Sequence, residues 1–424
     1  MKDPCPAEIL TQIHIGRGPN GYEAISSSQS DEVIYKWEHE NQQDKLTRAC
    51  PPRLWSKGSY KTSCPRPILI KKQHQQQLHE LSTALVASLT DIVDRWWFDT
   101  AAELPKRMPL GQKEQELLQL IDGLFTLFRR DRPVHLLKGE EAGIDIHMFI
   151  EAARRRLGSA PRLVDLADLR LVKDEKSKSG YTLCAVLKKP ERGTAFPDTS
   201  SMFFTSDGEF VEEIYQVGLE LHQRELLAMR PEMLREISLR CFNDMRTILL
   251  IHDKRMLGIV KQELEKQVIL NVITPRQAEI LDKGIADTLL PGSLQLRNLL
   301  FRSEKCPNLH QEYILKPIRS GKGDGIVFGE DLTNEEWVTA LKRQLSPELA
   351  LENSCVVQRR IFPRLYDVIL TASGERQRCP LIGTYHIVNG LFLGLGIWRS
   401  SNDRICAVSH GGAWMCSVIQ KDMA

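Results

Sequence analysis

The glycine-rich segment at residues 313–329, YILKPIRSGKGDGIVFG, combines residue types that suit phosphate binding. A predicted strand delivers Lys316, a loop with several glycines follows, and a second predicted strand leads away from it. Glycine allows backbone N–H groups to approach a phosphate closely, and a lysine beside the loop supplies positive charge. The spacing differs from that of a Walker A loop, and no helix follows at once. The segment therefore predicts either a hairpin laid over phosphates or an exposed flexible hairpin.

Three further polar side chains lie in segments that can bring them to the same place. The segment IHDKRML carries Lys254 at a predicted strand-to-helix junction, and the predicted strand LFLGLGIWRSS carries Arg399, a residue type that contacts phosphate oxygens bidentately. The strand CVVQRRIF carries Gln358, which can present a polar group to an adenine edge. Each cation alone is most simply a solvated surface charge, but with the glycine loop they suggest convergence on one polyphosphate. The loop residues that we expect there are Ser320, Gly321, Gly323 and Gly325.

The composition excludes several other classes of protein. The chain has 424 residues, 42% of them hydrophobic, which is enough for two or three lobes at roughly 150 residues per domain. The 57 basic residues against 55 acidic ones leave a net charge of +2, so we expect no nucleic-acid partner. There is no run of about 18 apolar residues, so we expect no membrane span. The N-terminus lacks a secretory signal and the ten cysteines form no CxxC pair, so we expect a cytoplasmic protein with reduced thiols.

The remaining pattern predicts an α+β fold with mixed or antiparallel sheets, built largely from hairpins, in two or three lobes with an N-terminal helical region. Apolar residues three and four apart predict helices near 73–97, 113–129 and 145–157, and residues 216–288 are expected to be rich in helix. Asn389-Gly390, between two predicted strands, is the strongest hairpin signal. We divide the chain into an irregular N-terminal arm (1–66), a helical region (67–160), a central α+β lobe (161–295) and a C-terminal β-rich lobe with the glycine loop (296–424).

The order of these segments resembles the ATP-grasp fold. The matching stretches are LKPIRSGKGDGI, then VVQRR, then LIGTYHIVNGLFLGLGIWRSSNDRICAVSHGGAW, and they are most similar to the circularly permuted branch that includes glutathionylspermidine synthase. HDKRMLGIV is similar to the lysine-bearing DK-x-x-L stretch of that branch. From about residue 15 onward the chain also resembles a group of fungal proteins from secondary-metabolite gene neighbourhoods, through GYEAISSS, RPILI, IVDRWW, RMPL, LELHQREL and AVSHGGAW. Some members carry a fused taurine-dioxygenase-like domain, but this chain has no His-x-Asp pair for its iron.

The resemblance implies a ligase that uses ATP and Mg²⁺. ATP-grasp enzymes phosphorylate a small-molecule carboxylic acid, and an amine then displaces phosphate from the acyl phosphate. By this resemblance Lys254 and Lys316 would hold the ATP phosphates, and the loop 320–325 would close over them. Arg399 and Lys316 would stabilise the transferring phosphoryl group, and Gln358 would lie near the adenine.

The sequence departs from this family at the metal site. The permuted enzymes bind Mg²⁺ with an Asp and a Glu-x-Asn pair, whereas here Glu213 is followed two residues later by Tyr215. We therefore name Asp168, Asp198 and Glu213 as candidate ligands, with Glu212 beside them. If none of them binds metal, the chain would be a degenerate ATP-grasp scaffold that binds a nucleotide or a partner. A phosphotransferase that performs no ligation is a third alternative.

Overall fold

The computed structural model describes residues 10–25, 32–98, 123–141, 143–187, 200–242, 245–345 and 354–419. They form a mixed α+β fold with several small sheets, as the sequence predicts. The chain divides into two compact units: unit 1 consists of residues 1–52, 57–101 and 250–424, and unit 2 of residues 53–56 and 102–249. Within these described ranges, no helix combines the length and apolar character that crossing a membrane requires.

The helices of the described residues are α1 (Glu32–Ala49), α2 (Lys72–Phe98), α3 (Ile144–Leu157), α4 (Gln223–Leu227), α5 (Pro231–Arg240), α6 (Arg255–Ile269), α7 (Pro275–Gly284), α8 (Leu294–Lys305) and α9 (Asn334–Arg343). The strands are β1 (Thr11–Ile15), β2 (Tyr22–Ala24), β3 (Ile68–Ile70), β4 (His135–Lys138), β5 (Arg162–Asp165), β6 (Leu169–Lys173), β7 (Tyr181–Val186), β8 (Met202–Phe204), β9 (Phe210–Glu213), β10 (Val217–Glu220), β11 (Thr288–Leu289), β12 (Tyr313–Pro317), β13 (Val327–Phe328), β14 (Cys355–Arg359), β15 (Leu365–Ile369), β16 (Arg376–Pro380), β17 (Ile382–Val388), β18 (Leu391–Ser400), β19 (Ala413–Met415) and β20 (Ser417–Ile419).

The sheet that carries the glycine loop belongs to unit 1 and has the antiparallel order β11-β14-β12-β13. One face packs against α8 and α9, where Leu315 and Val357 join Leu299 and Trp337 in a buried cluster. Because successive side chains of a strand point to opposite faces, Lys316 and Gln358 lie on the other face. The apolar core behind the sheet therefore fixes which face is offered to a ligand.

The other sheets of unit 1 hold the chain segments around this one. β17-β18-β19 is antiparallel, and Asn389 and Gly390 both have positive φ (51° and 77°) at its hairpin turn, as the sequence predicts. β2-β1-β3-β20 brings residues near both ends of the chain into one sheet, and β15-β16 is a hairpin. α2 packs on α6 and α7 through a cluster that includes Ile92, Val260 and Leu281.

Unit 2 contains a parallel sheet in the order β10-β4-β5 and an antiparallel sheet in the order β6-β7-β9-β8. Its main apolar cluster includes Leu137 of β4, Leu183 of β7 and Ile237 of α5, all fully buried. α3 ends at Gly158, whose φ of 73° is readily adopted by glycine, and this confirms the helix predicted at 145–157.

Two local expectations are wrong, each for a physical reason. The arm at 1–66, expected to be irregular, contains α1, whose only buried residue is Tyr35, so it shows no apolar stripe. The short strands β4 and β10 carry no signal in the sequence, because each has only four residues; β10 begins the stretch 216–288, which is otherwise rich in helix as predicted. Lys254 follows a π-helical turn at Thr247–Ile251 rather than a strand. Most of the helix predicted at 113–129 lies outside the described residues, and the fourfold division of the chain stays a prediction.

Candidate nucleotide site

Lys316 is held on the open face of the β11-β14-β12-β13 sheet by a chain of side-chain hydrogen bonds. Its Nζ donates to Oε1 of Gln358 over 2.6 Å. Nε2 of Gln358 donates in turn to Oγ1 of Thr288 over 2.8 Å, and that hydroxyl donates to the carbonyl of Ala286 over 2.9 Å. Gln358 is only 6% exposed, so this chain fixes the orientation of its amide. The lysine is therefore positioned by three adjacent strands before any ligand binds.

Lys254 lies at the N-cap of α6 and holds the first residues of the glycine loop. Its Nζ donates to the carbonyls of Pro317 over 2.9 Å and Ser320 over 2.8 Å. Its backbone N–H donates to the carbonyl of Ile318 over 2.9 Å. The structure thus brings Lys254 and Ser320 into direct contact at the point where β12 becomes the loop.

The electrostatics of the two lysines indicate an anion site. Burial lowers the pKa of Lys316, and the positive charge of Lys254 lowers that pKa further. Burial also lowers the pKa of Lys254, against the opposing effect of Asp253. Neither ammonium group forms an ion pair with a carboxylate of the described residues, and each is held by neutral oxygens. Two neighbouring positive charges without a counter-ion would be stabilised by a polyphosphate.

The conformation of the loop depends on two of its glycines. Gly323 has φ of +89°, and an added Cβ would lie 2.4 Å from Cγ2 of Ile405. Gly325 has φ of +72°, and its Cβ would lie 2.7 Å from Cγ of Pro317. Gly321 differs, because nothing lies within 4 Å of its Cβ position. The loop is therefore a defined turn that packs against Ile405, and Gly321 faces open space.

Arg399 lies on β18, and no carboxylate in the described ranges pairs with its guanidinium. Its Nε is buried and has no hydrogen-bond partner within the part of the chain that the structure describes. Cys406 lies close enough for the charge of Arg399 to lower the pKa of its thiol, although burial raises that pKa more. Cys406 directly follows Ile405, which contacts Gly323. Arg399 therefore lies near Cys406, and the residue before Cys406 packs against the glycine loop. That Arg399 and Lys316 contact the same phosphates stays a prediction.

The structure does not bring together those candidate metal ligands that it describes. Asp168 ends a 3₁₀ turn before β6, Glu213 lies on β9, and β7 runs between those two strands. Glu212 is fully buried. Its Oε2 pairs with His135 over 3.0 Å and with Arg162, and its Oε1 accepts from Ser201 over 3.3 Å, so both oxygens already have protein partners. Asp198 lies outside the described residues. No group of three or more metal-binding side chains occurs in the part of the chain that the structure describes.

Two features of the site carry no signal in the sequence. Thr288, which orients Gln358, belongs to β11, a strand of two residues that no alternation pattern can show. The register that places Gln358 opposite both Thr288 and Ile314 depends on strands far apart in the chain. Only the identity of the strand residues, and not their pairing, could be predicted.

A sheet that presents Lys316 beside a glycine hairpin, with Lys254 at the start of a neighbouring helix, is what the resemblance to ATP-grasp enzymes implies. The chain is 30% identical over 439 residues to the ATP-grasp enzyme ankG of Aspergillus thermomutatus, with 87% of this chain and 91% of the relative covered. A family model described as the AnkG N-terminal domain matches residues 81–123 and 119–250. The chain therefore belongs to the AnkG family of ATP-grasp enzymes.

Proposed function

We propose that this protein is an ATP- and Mg²⁺-dependent carboxylate–amine ligase that forms an amide bond through an acyl phosphate, in fungal secondary metabolism. The observation that carries the proposal is the pair Lys254 and Lys316, two partly buried cations that lie beside a glycine hairpin and that no carboxylate of the described residues pairs with. Membership of the AnkG family supports an ATP-dependent reaction. The substrates would be a small-molecule carboxylic acid and an amine.

The proposed reaction has two steps, phosphorylation of the acid and displacement of the phosphate by the amine. A carboxylate oxygen of the acid attacks the γ-phosphorus of ATP, and the bond to the β-phosphate oxygen breaks to release ADP. The amine nitrogen then attacks the acyl carbon, loses a proton and displaces inorganic phosphate. Lys254, Lys316 and the N–H groups of the loop neutralise the phosphate charge, and Arg399 stabilises the transferring phosphoryl group.

Gln358 has a role besides adenine recognition in this proposal. Its Oε1 accepts from Lys316 and its Nε2 donates to Thr288. An amide has two further positions, one N–H and one lone pair, that these bonds do not use. Gln358 therefore positions Lys316 directly and retains hydrogen-bonding capacity for an adenine edge.

Mg²⁺, when bound, would neutralise part of the phosphate charge. Mg²⁺ keeps several waters and is commonly held by one or two carboxylates together with substrate phosphates, so it needs no cluster of three protein ligands. Asp168, Asp198 and Glu213 stay the proposed ligands. The described residues fit the nucleotide better than they fit the metal, because β7 separates Asp168 from Glu213.

That separation favours one alternative, a nucleotide-binding protein that has lost catalysis. The two proposals differ in the release of ADP and phosphate with Mg²⁺ and candidate acids and amines. Hydroxylamine would trap an acyl phosphate as a hydroxamate, which distinguishes a ligase from a phosphotransferase without ligation. Release of ADP with no hydroxamate from any acid that supports turnover would contradict the ligase.

Substitution of the cations tests the assigned roles. We expect Lys316→Ala and Arg399→Ala each to lower turnover at least about a hundredfold, because each removes a charge aimed at the phosphates. Arg276→Ala is a matched control, since Arg276 is an exposed residue that pairs with Glu80 over 3.1 Å. Circular dichroism and thermal unfolding establish that each variant is folded. Unchanged turnover in Lys316→Ala would contradict the assignment.

A further inference from the structure

A network of charges joins the end of the glycine hairpin to the segment at residues 404–406. We call this network the Arg404 clasp; it consists of Phe328, Glu330, Asp331, Arg360 and Arg404. The guanidinium of Arg404 binds Asp331 bidentately, with both N···O distances 2.8 Å, and also binds Glu330 over 2.8 Å. Arg360, which directly follows β14, pairs with the other oxygen of Glu330. Glu330 is therefore shared by two arginines from separate segments.

Stacking on aromatic rings defines the clasp further. The Arg404 guanidinium carbon lies 4.3 Å from the centroid of Phe328, the last residue of β13. The Arg360 guanidinium carbon lies 5.4 Å from the same ring and 4.5 Å from that of Phe362. Such contacts favour one orientation of the planar guanidinium group. The clasp thereby fixes the returning strand of the hairpin.

The residue after Arg404 holds the other end of the same loop. Ile405 packs against Gly323 so closely that a Cβ there would lie 2.4 Å from Cγ2 of Ile405. Cys406 comes next and lies within the electrostatic influence of Arg399. Three consecutive residues thus reach the stem of the hairpin, the tip of its loop and the neighbourhood of the proposed catalytic arginine.

We propose that Arg404 is a positioning residue: it anchors the glycine hairpin to segment 404–406, so that the loop, Lys316 and Arg399 keep a fixed arrangement around the nucleotide phosphates. This inference rests on the proposed nucleotide site and assigns to it a residue that touches no substrate. Arg404 and Asp331 are 47% and 46% exposed as side chains, and exposed ion pairs contribute little to global stability. The effect of the clasp is therefore expected on phosphate affinity rather than on folding.

The test measures by calorimetry how tightly the wild type and its variants bind two ligands. One is a non-hydrolysable ATP analogue in the presence of Mg²⁺, and the other is adenosine. We expect Arg404→Ala to weaken binding of the analogue about five- to tenfold, from the loss of two or three partly exposed pairs, and to leave adenosine affinity unchanged. Arg404→Lys, which keeps the charge but not the bidentate geometry, should fall between. The double variant Arg404→Asp with Asp331→Arg exchanges the two charges. It should bind the ATP analogue more tightly than the single variant Arg404→Asp does. Arg276→Ala is the control.

A second measurement needs no nucleotide. Lys322 is an exposed trypsin site in the loop, and we expect faster cleavage after Lys322 in Arg404→Ala than in wild type or Arg276→Ala. Equal cleavage in all three proteins, or equal losses of analogue and adenosine affinity, would overturn the positioning role. If the wild type binds no ATP analogue but trypsin still cleaves Arg404→Ala faster than the wild type, the anchoring role of Arg404 is supported and the proposed function fails. If the wild type binds the analogue, and Arg404→Ala matches Arg276→Ala in analogue affinity and in cleavage rate, only the positioning role of Arg404 fails.

Discussion

Lys316 and Lys254 share one property at the scale of the residue, because neutral oxygens rather than carboxylates hold their ammonium groups. Lys316 donates to an amide oxygen, and Lys254 donates to two backbone carbonyls. Such contacts orient a cation without cancelling its charge. In the described part of the chain, arginines such as Arg404 are instead paired with carboxylates. This difference marks the two lysines as positions kept for an anion.

The lowered pKa of Lys316 predicts a dependence of ATP affinity on pH. Burial and the charge of Lys254 lower this pKa in the free protein, and bound phosphates would raise it again, so binding takes up protons. Affinity for an ATP analogue should therefore fall as pH rises through the lowered pKa, below the ordinary value of about 10.4. Calorimetry between about pH 7 and 10 measures this slope, which Lys316→Arg should reduce because arginine stays charged. Lys283→Arg, at an exposed lysine paired with Glu279, is the control, and an unchanged slope in Lys316→Arg would contradict the prediction.

Gln358 offers a second test at the same scale. Gln358→Glu is nearly isosteric but would give Lys316 a carboxylate partner, which cancels the charge needed by the phosphates. We expect its affinity for the ATP analogue to fall at least about tenfold below that of Gln358→Leu, which removes the hydrogen bond without adding charge. Equal affinities of the two variants would show that the charge of Lys316 is not used in binding.

At the scale of the element, the glycine hairpin depends on backbone conformations that other residues rarely adopt. Gly323→Ala forces an L residue into a left-handed conformation against Ile405, at a cost of about 1–2 kcal/mol before the contact is counted. Hydrogen exchange of the loop amides, such as the Asp324 N–H that donates to the Gly321 carbonyl, should quicken about tenfold. Gly321→Ala adds the same methyl group to open space, so it should leave exchange unchanged. Equal exchange rates in the two variants would contradict this account of the loop.

The same elements show how far sequence reasoning reaches. The hairpin at Asn389-Gly390 and the strands around Lys316 and Gln358 have local signals, namely turn residues and apolar runs, and these predictions are confirmed. The pairing of β12 with β14 is not local, because the segment between Ile314 and Gln358 contains the whole of α9. α1 could not be predicted, because its few apolar residues form no regular stripe along the helix. The candidate residues could thus be named from sequence, whereas their partners Thr288 and Arg404 required coordinates.

At the scale of the whole molecule, a buried arginine ties distant parts of unit 1 together. Arg66 is fully buried; its Nη1 lies 3.2 Å from Oε2 of Glu38 in α1, and it donates to the carbonyls of Ile369 and Thr371 over 3.1 Å and 2.9 Å. We expect Arg66→Met to destabilise the protein by about 3–5 kcal/mol, because it leaves Glu38 partly buried beside His14 alone. Chemical denaturation measures the loss, and Arg276→Met, at an exposed pair, should cost less than about 1 kcal/mol. Similar losses in both variants would contradict the assigned importance of Arg66.

The contacts of Glu38 with His14 and Arg66 make the stability of the protein depend on pH in the acid range. Burial raises the pKa of Glu38, but hydrogen bonds and charges of His14 and Arg66 outweigh that effect, so the net pKa is lowered. The unfolded chain therefore binds the proton more readily, and the stabilisation is present above the ordinary pKa of 4.5 and lost as pH falls through the lowered value. The free energy of unfolding should decline over this range in wild type, and less steeply in Glu38→Gln. Parallel declines in the two proteins would exclude Glu38 as a source of the acid sensitivity.

The sheet order β2-β1-β3-β20 has a consequence for biosynthesis. β20 pairs in parallel with β3, and Val418 is the register partner of Leu69. During translation β3 leaves the ribosome hundreds of residues before its neighbour β20, whereas unit 2 is almost continuous in sequence and is made in between. The nascent polypeptide must therefore keep one edge of β3 unpaired until β20 has been made, and an unpaired edge can pair with other chains.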